Sequence, residues 1–116
     1  MATYGVTVIE TRSSVRVAIQ CLIIVAYGVQ TDEGRVLNLS KNGCLVESLL
    51  RIKAGDRLQL RLFLPESDQS ICVPLAVARW AEAPRFGVEF VKMDERYRPR
   101  LRECIAKGSD PWKFAR

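Results

Sequence analysis

Between Val15 and Val91 the chain alternates apolar and polar residues in short runs divided by turn signals, and this period of two commits the region to β-strands. Val15, Val17, Ile19, Cys21, Ile23 and Val25 alternate with Arg16, Ala18, Gln20, Leu22 and Ile24, a run that is apolar on both faces. Thr31-Asp32-Glu33-Gly34 reads as a turn. Arg35 to Ser40 reads as the next strand, with Leu37 and Leu39 on one face and Asn38 and Ser40 on the other. Asn42-Gly43 is a hairpin signal, because both central positions of a type I′ turn need positive φ. Cys44 to Glu47 returns, and Lys53 to Asp56 turns again. Arg57 to Leu64 then sets Leu58, Leu60, Leu62 and Leu64 against Arg57, Gln59, Arg61 and Phe63. After a polar loop from Pro65 to Ser70, Ile71 to Ala81 and Phe86 to Val91 form a hairpin across Ala83-Pro84-Arg85. Six or so strands at this spacing predict a small antiparallel barrel, which also removes exposed edges.

The period changes after Asp94. Tyr97, Leu101, Cys104 and Ile105 fall on one stripe of an amphipathic helix, with Asp94 as N-cap and Gly108 as stop. Pro99 lies deep in that span, so the helix is expected to begin there after an irregular turn. Arg96, Arg98, Arg100 and Arg102 flank the stripe and read as a solvated face. The fold class is therefore all-β with a terminal helix, in one domain of 116 residues. Residues 1–16 form an N-terminal arm expected to be mobile, 15–91 the barrel, 94–107 the helix and 108–116 a tail whose Trp112 and Phe114 pack on the barrel.

A net charge of +5 points to an anionic partner: nucleic acid, a phosphorylated small ligand, an acidic lipid surface or an acidic protein face. The four cysteines, Cys21, Cys44, Cys72 and Cys104, never approach a C-x-x-C spacing, and the chain has no histidine, so no metal site is expected. Two disulfides with three connectivities are conceivable. The plainer reading is small buried apolar residues in a reducing compartment. The apolar stretch from Val17 to Val29 is interrupted by Gln20 and is shorter than the ~20 residues of a spanning helix. No cleavage signal follows it, so no membrane span and a cytoplasmic location are expected.

Two short constellations carry chemistry. Arg12-Ser13-Ser14-Val15-Arg16 is an R-x-x-x-R, and Asn38-Leu39-Ser40-Lys41-Asn42-Gly43 is an N-x-S-x-x-G across a strand end and its turn. A guanidinium pairs bidentately with phosphate, grips the O6/N7 edge of guanine, or stacks on a base. In extended chain the two arginines span ~13 Å and bracket a dinucleotide, whereas a tighter turn converges them on one phosphate. Asn38 and Ser40 offer short neutral hydrogen bonds from one strand face, and Gly43 lets backbone come close to a flat ligand. The set suits a guanine nucleotide with phosphate. It contains no histidine, P-loop or carboxylate pair for catalysis, so no enzyme is expected and no cofactor is implied.

At this point the chain resembles the PilZ domain family, whose signature is R-x-x-x-R followed by [D/N]-x-S-x-x-G. The likeness continues in Gly34 to Ser40, in Lys53-Ala54-Gly55-Asp56-Arg57-Leu58, and in Ala76 to Trp80 followed by Arg85-Phe86-Gly87-Val88-Glu89-Phe90. It covers roughly residues 10 to 106. The resemblance implies a split-barrel-like, six-stranded antiparallel β-barrel with a C-terminal α-helix, and cyclic di-GMP as ligand. Carried over by position, Arg12 and Arg16 would grip phosphates and guanine edges, Asn38 and Ser40 would hydrogen-bond a base, and Gly43 would clear the approach. Trp80 stands where some members place an aromatic or apolar residue near a base, and reads equally as a large barrel residue. Asn38 is the permitted variant of a commoner Asp. Thr11 stands where many members carry a basic or bulky residue, which leaves open one ligand or a stacked pair.

The expected role is a cyclic di-GMP receptor that signals to an as yet unidentified effector protein by docking its N-terminal arm on the ligand. Two other readings compete. One is a PilZ-like protein-interaction adaptor independent of nucleotide. The other is a small nucleic-acid-binding barrel, against which the 8% aromatic content argues, because such surfaces need several stacking platforms.

Overall fold

In the computed structural model, residues 8–10 and 15–108 are described, the first three by backbone alone. Arg12, most of the arm and the tail with Trp112 and Phe114 lie outside the described residues. Six strands close the barrel: β3 (Cys21–Tyr27), β4 (Gln30–Ser40), β5 (Gly43–Glu47), β6 (Arg57–Phe63), β7 (Ile71–Glu82) and β8 (Arg85–Lys92). They neighbour one another in the order β4-β3-β6-β7-β8-β5, and β5 pairs back to β4, all antiparallel. Two short strands, β1 (Val8–Glu10) and β2 (Val15–Val17), form a hairpin that joins the far end of β4.

The alternation holds where burial can enforce it. Leu58, Leu60 and Leu62 are at most 4% exposed while Arg57, Gln59 and Arg61 face solvent, and Ile23 and Val25 are fully buried beside outward Leu22 and Ile24. Leu101 closes one side of the core, with Tyr97, Cys104 and Ile105 packed against it. A short 3-10 turn at Glu95–Tyr97 is capped by the Asp94 carboxylate, which accepts from the Arg96 N–H, and α1 (Arg98–Gly108) follows with Pro99 in its first turn. There a proline costs nothing, since that N–H has no helical acceptor. Two flanking arginines are not merely solvated: Arg98 donates to the Lys41 carbonyl, and Arg100 donates to the Gln69 carbonyl at 2.6 Å and to Ser67 Oγ at 3.0 Å, fastening the β6–β7 loop to the helix.

Four local expectations are corrected. The turn expected at Thr31–Gly34 lies at Gly28-Val29, where Gly28 takes φ +61° and Tyr27 pairs with Gln30; Thr31 to Gly34 are strand. Gly28 adopts this positive φ without a Cβ penalty. Leu37 and Leu39 do not share a face, because a bulge between Val36 and Asn38 puts Val36 and Leu39 inward and leaves Leu37 half-buried. The run from Val15 to Val25 is split into β2 and β3, and the break lies across from that bulge, since β2 and β3 both pair with β4. Finally, Asn42-Gly43 is not a type I′ pair. The loop is Lys41-Asn42, Ser40 pairs with Gly43, and neither Asn42 nor Gly43 has positive φ. The arm, too, is partly sheet, because Val15 and Arg16 belong to β2 and Val8 to Glu10 to β1.

None of the four cysteines is joined in a disulfide. Burial raises the Cys21 thiol to about 12 and pushes Cys44 higher still, so both stay protonated and behave as apolar side chains.

Candidate nucleotide-binding face

The bulged end of β4 presents the N-x-S-x-x-G motif to β2, and β2 presents the second arginine of the R-x-x-x-R to it. Val17 pairs with Leu39, so one residue along the antiparallel pairing Arg16 comes beside Ser40. Its Nη1 donates to Asn38 Oδ1 at 3.0 Å, a contact 22 residues apart in sequence. The two motifs therefore meet in space. Arg16 and Asn38 are each half-buried.

Ser40 is only 1% exposed, and its hydroxyl serves its own turn: it donates to the Gly43 carbonyl at 3.2 Å and accepts from the Asn42 N–H at 3.3 Å. Its place in the site is to hold the Lys41-Asn42 loop. Arg98 of α1 assists from the other side, donating to the Lys41 carbonyl at 3.3 Å. Gly43 is likewise explained from within the barrel. A Cβ there would run into the Val88 carbonyl oxygen of β8, where Phe90 N–H also bonds the Asn42 carbonyl at 2.7 Å. The missing side chain lets two strands close on each other.

Trp80 joins this face through a row of register partners. Asn38 pairs with Leu45, Leu45 with Gly87, and Gly87 with Trp80. Directly paired residues point to the same side of a sheet, so the row runs across the outer wall for ~14 Å, three strand spacings. Gly87 is buried because the Trp80 indole lies over it, and a Cβ on Gly87 would overlap the ring nitrogen. Trp80 itself remains 46% exposed. The indole packs over Gly87 and still keeps nearly half its surface open, so the packing and ligand readings of Trp80 are compatible.

Sequence reasoning singled out Arg16, Asn38, Ser40, Gly43 and Trp80 but passed over Leu45, Gly87 and Arg98. The Gly87 signal was within the quoted R-F-G-V-E-F segment; its partner needed the register. Beyond the row, Arg35 and Arg85 flank Glu47 across β4, β5 and β8, with a hydrogen bond from Arg35 at 2.8 Å, and hold its carboxyl below the usual range. Among the described residues no group of acidic and thiol side chains is placed to hold a metal ion, and no helix is long and apolar enough to cross a membrane.

The family model described as PilZ domain matches residues 10–107. Among solved structures, the inhibitor of motility MotI/DgrA from Bacillus subtilis superposes with a TM-score of 0.70 at 21% identity, over 85% of this chain and 52% of that one. This chain thus spans about half the length of that relative. The PilZ domain of CeSA from a cellulose-synthesizing bacterium superposes with a TM-score of 0.60 at 15% identity, over 78% of this chain and 94% of that one. No curated protein matches by sequence.

Proposed function

The chain belongs to the PilZ domain family, and from that premise we propose that it is a cyclic di-GMP receptor, a binding protein and not an enzyme. The observation that carries this reading is the Arg16–Asn38 hydrogen bond, which joins the two halves of the nucleotide signature on one open face. Arg16 and Arg12 grip phosphate and the guanine Hoogsteen edge. Asn38 hydrogen-bonds a base, with Ser40 and Gly43 fixing its turn, and Trp80 lies at the far end of the row as a stacking surface. A +5 chain with a short, partly apolar row suits a compact anion carrying flat bases better than a long polymer.

Titration calorimetry against cyclic di-GMP, with GTP and a short RNA as controls, tests the reading directly. The expected result is saturable binding of cyclic di-GMP that weakens only mildly with salt, because two phosphates release no condensed counterion layer. Tight RNA binding with a steep salt slope would replace the receptor by a nucleic-acid barrel.

The receptor signals, in this proposal, by seating its N-terminal segment, which an effector protein then reads. β1 and β2 are three residues each and β2 registers with β4 at one pair, Val17–Leu39, so apart from buried Val17 and the Arg16–Asn38 bond little holds the hairpin when the site is empty. A ligand gripped by Arg16 and by the β4 motif ties it down. Hydrogen exchange of β1 and β2 amides is expected to slow by on the order of a hundredfold at about 100 times Kd, while β6 stays unchanged. Equal exchange with and without ligand would leave a rigid receptor whose nucleotide is itself the recognised surface.

A further inference from the structure

The barrel carries an apolar feature on its outside that nucleotide binding does not use. Strand β3 is apolar on both faces: Ile23 and Val25 fill the core, while Leu22, Ile24 and Ala26 line the outer wall. Leu22 is 44% exposed. Half-buried Phe63 and Cys72 extend the patch onto β6 and β7. An outward apolar strand in a closed barrel has no core to fill, and such patches mark contact surfaces.

We propose that two copies of this chain associate through this wall, about a two-fold axis running along β3. The register supplies the argument. Ile24 pairs with Glu33 on one side and Arg61 on the other, so the row reads acidic, apolar, basic. A two-fold axis along the middle strand exchanges the two sides, which sets Glu33 of each copy opposite Arg61 of the other. The neighbouring rows match as well. Arg35–Leu22–Phe63 brings a guanidinium over an aromatic ring, and Thr31–Ala26–Gln59 brings two hydrogen-bonding side chains together.

Shape agrees with charge. Leu49, 86% exposed, lies on the β4 side of the wall, where it lines a groove with Leu22, Glu33 and Arg35 and its N–H donates to the Asp32 carboxylate at 3.1 Å. On the opposite side of β3, at the same height, is a depression of about 360 Å³ lined by Ile24, Ala26, Gln59, Cys72 and Pro74. The same axis carries Leu49 of one copy to that depression in the other. Knob and hole occur twice per dimer, as an isologous contact requires. The inference rests on register and exposure and stands whether or not the protein binds a nucleotide.

Sedimentation velocity on the full chain without nucleotide, from low to high micromolar concentration, tests it. A concentration-dependent dimer is expected, weakened at least about tenfold by Glu33→Arg, by Arg61→Glu, and by Leu49→Asp. Combining Glu33→Arg with Arg61→Glu reverses both partners and is expected to restore association to within about threefold of the parent. Thermal melts confirm that each surface variant is folded. A chain that stays monomeric at high micromolar concentration overturns the proposal, even if the wall captures some other protein. So does a dimer indifferent to all three substitutions, or a double reversal that fails to restore it.

Discussion

Replacing Gly43 by alanine is expected to destabilise the fold by about 3 kcal/mol or more and to lower Tm by roughly 12 °C or more. The new methyl has nowhere to go. At this position a Cβ overlaps the Val88 carbonyl oxygen and lies 3.3 Å from Glu89 Cα, and both neighbours are backbone of the adjacent strand. A flexible side chain would swing aside; paired backbone must open. Gly43 pairs with Glu89, and the Asn42 carbonyl accepts from the Phe90 N–H at 2.7 Å, so any parting of β5 from β8 also loosens the closing seam of the barrel. The outcome separates two roles. If Gly43 only clears a path for ligand, Gly43→Ala melts like the parent and loses affinity alone. If it lets two strands touch, thermal stability falls even with no ligand present. A melt within about 1 °C of the parent would overturn the strand-contact account.

Much of the barrel was legible because its physics is local. Leu58 to Leu64 and Ile71 to Val73 alternate against a single core, and a period of two survives any detail of how the strands pair. The errors fall where one residue is inserted or where a turn is chosen among neighbours. The bulge at Leu37 moves inward positions from Leu37 and Leu39 to Val36 and Leu39, and no period shows an insertion whose cause is the partner strand. Thr31 to Gly34 has turn-forming composition, yet the chain reverses at Gly28, which takes a positive φ without a Cβ penalty. Asn42-Gly43 resembles a mirror-image turn, but Gly43 is spent on the approach to Val88.

The site divides in the same way. Arg16 and Asn38 could be paired in advance because both belong to one spaced signature. Gly87 and Trp80 could not, because a hairpin of six intervening residues brings them together and only the register tells which outward residue faces which. Arg98 was read as one of four solvated arginines, and its bond to the Lys41 carbonyl depends on where α1 docks. Composition carries no information about that.

Removing the Arg16 guanidinium is expected to weaken cyclic di-GMP binding by about 1–3 kcal/mol, roughly fivefold to 150-fold in Kd. The geometry makes this the most exposed point of the proposal. Arg16 Nη1 already donates to Asn38 Oδ1, which aims the fork and leaves its remaining donors for an anion or a guanine edge. Arg16→Ala discards the grip and the aim together. Arg16→Lys keeps the charge but loses the planar fork, so it should recover only part of the affinity. The stability cost of Arg16→Ala should stay near 1 kcal/mol, the scale of one half-buried hydrogen bond, because neither partner is left deeply buried. Asn38→Asp provides the sharper contrast. It converts the contact to an ion pair and leaves the shape unchanged, but places a carboxylate beside the phosphate site. Affinity should then change far less than in Arg16→Ala, since the gain in holding Arg16 offsets repulsion of the ligand. Calorimetry on the three variants gives a ranking: parent and Asn38→Asp close together, Arg16→Lys intermediate, Arg16→Ala weakest. Unchanged affinity in Arg16→Ala, with folding intact, would remove β2 from the binding site and with it the seating of the N-terminal segment on the ligand.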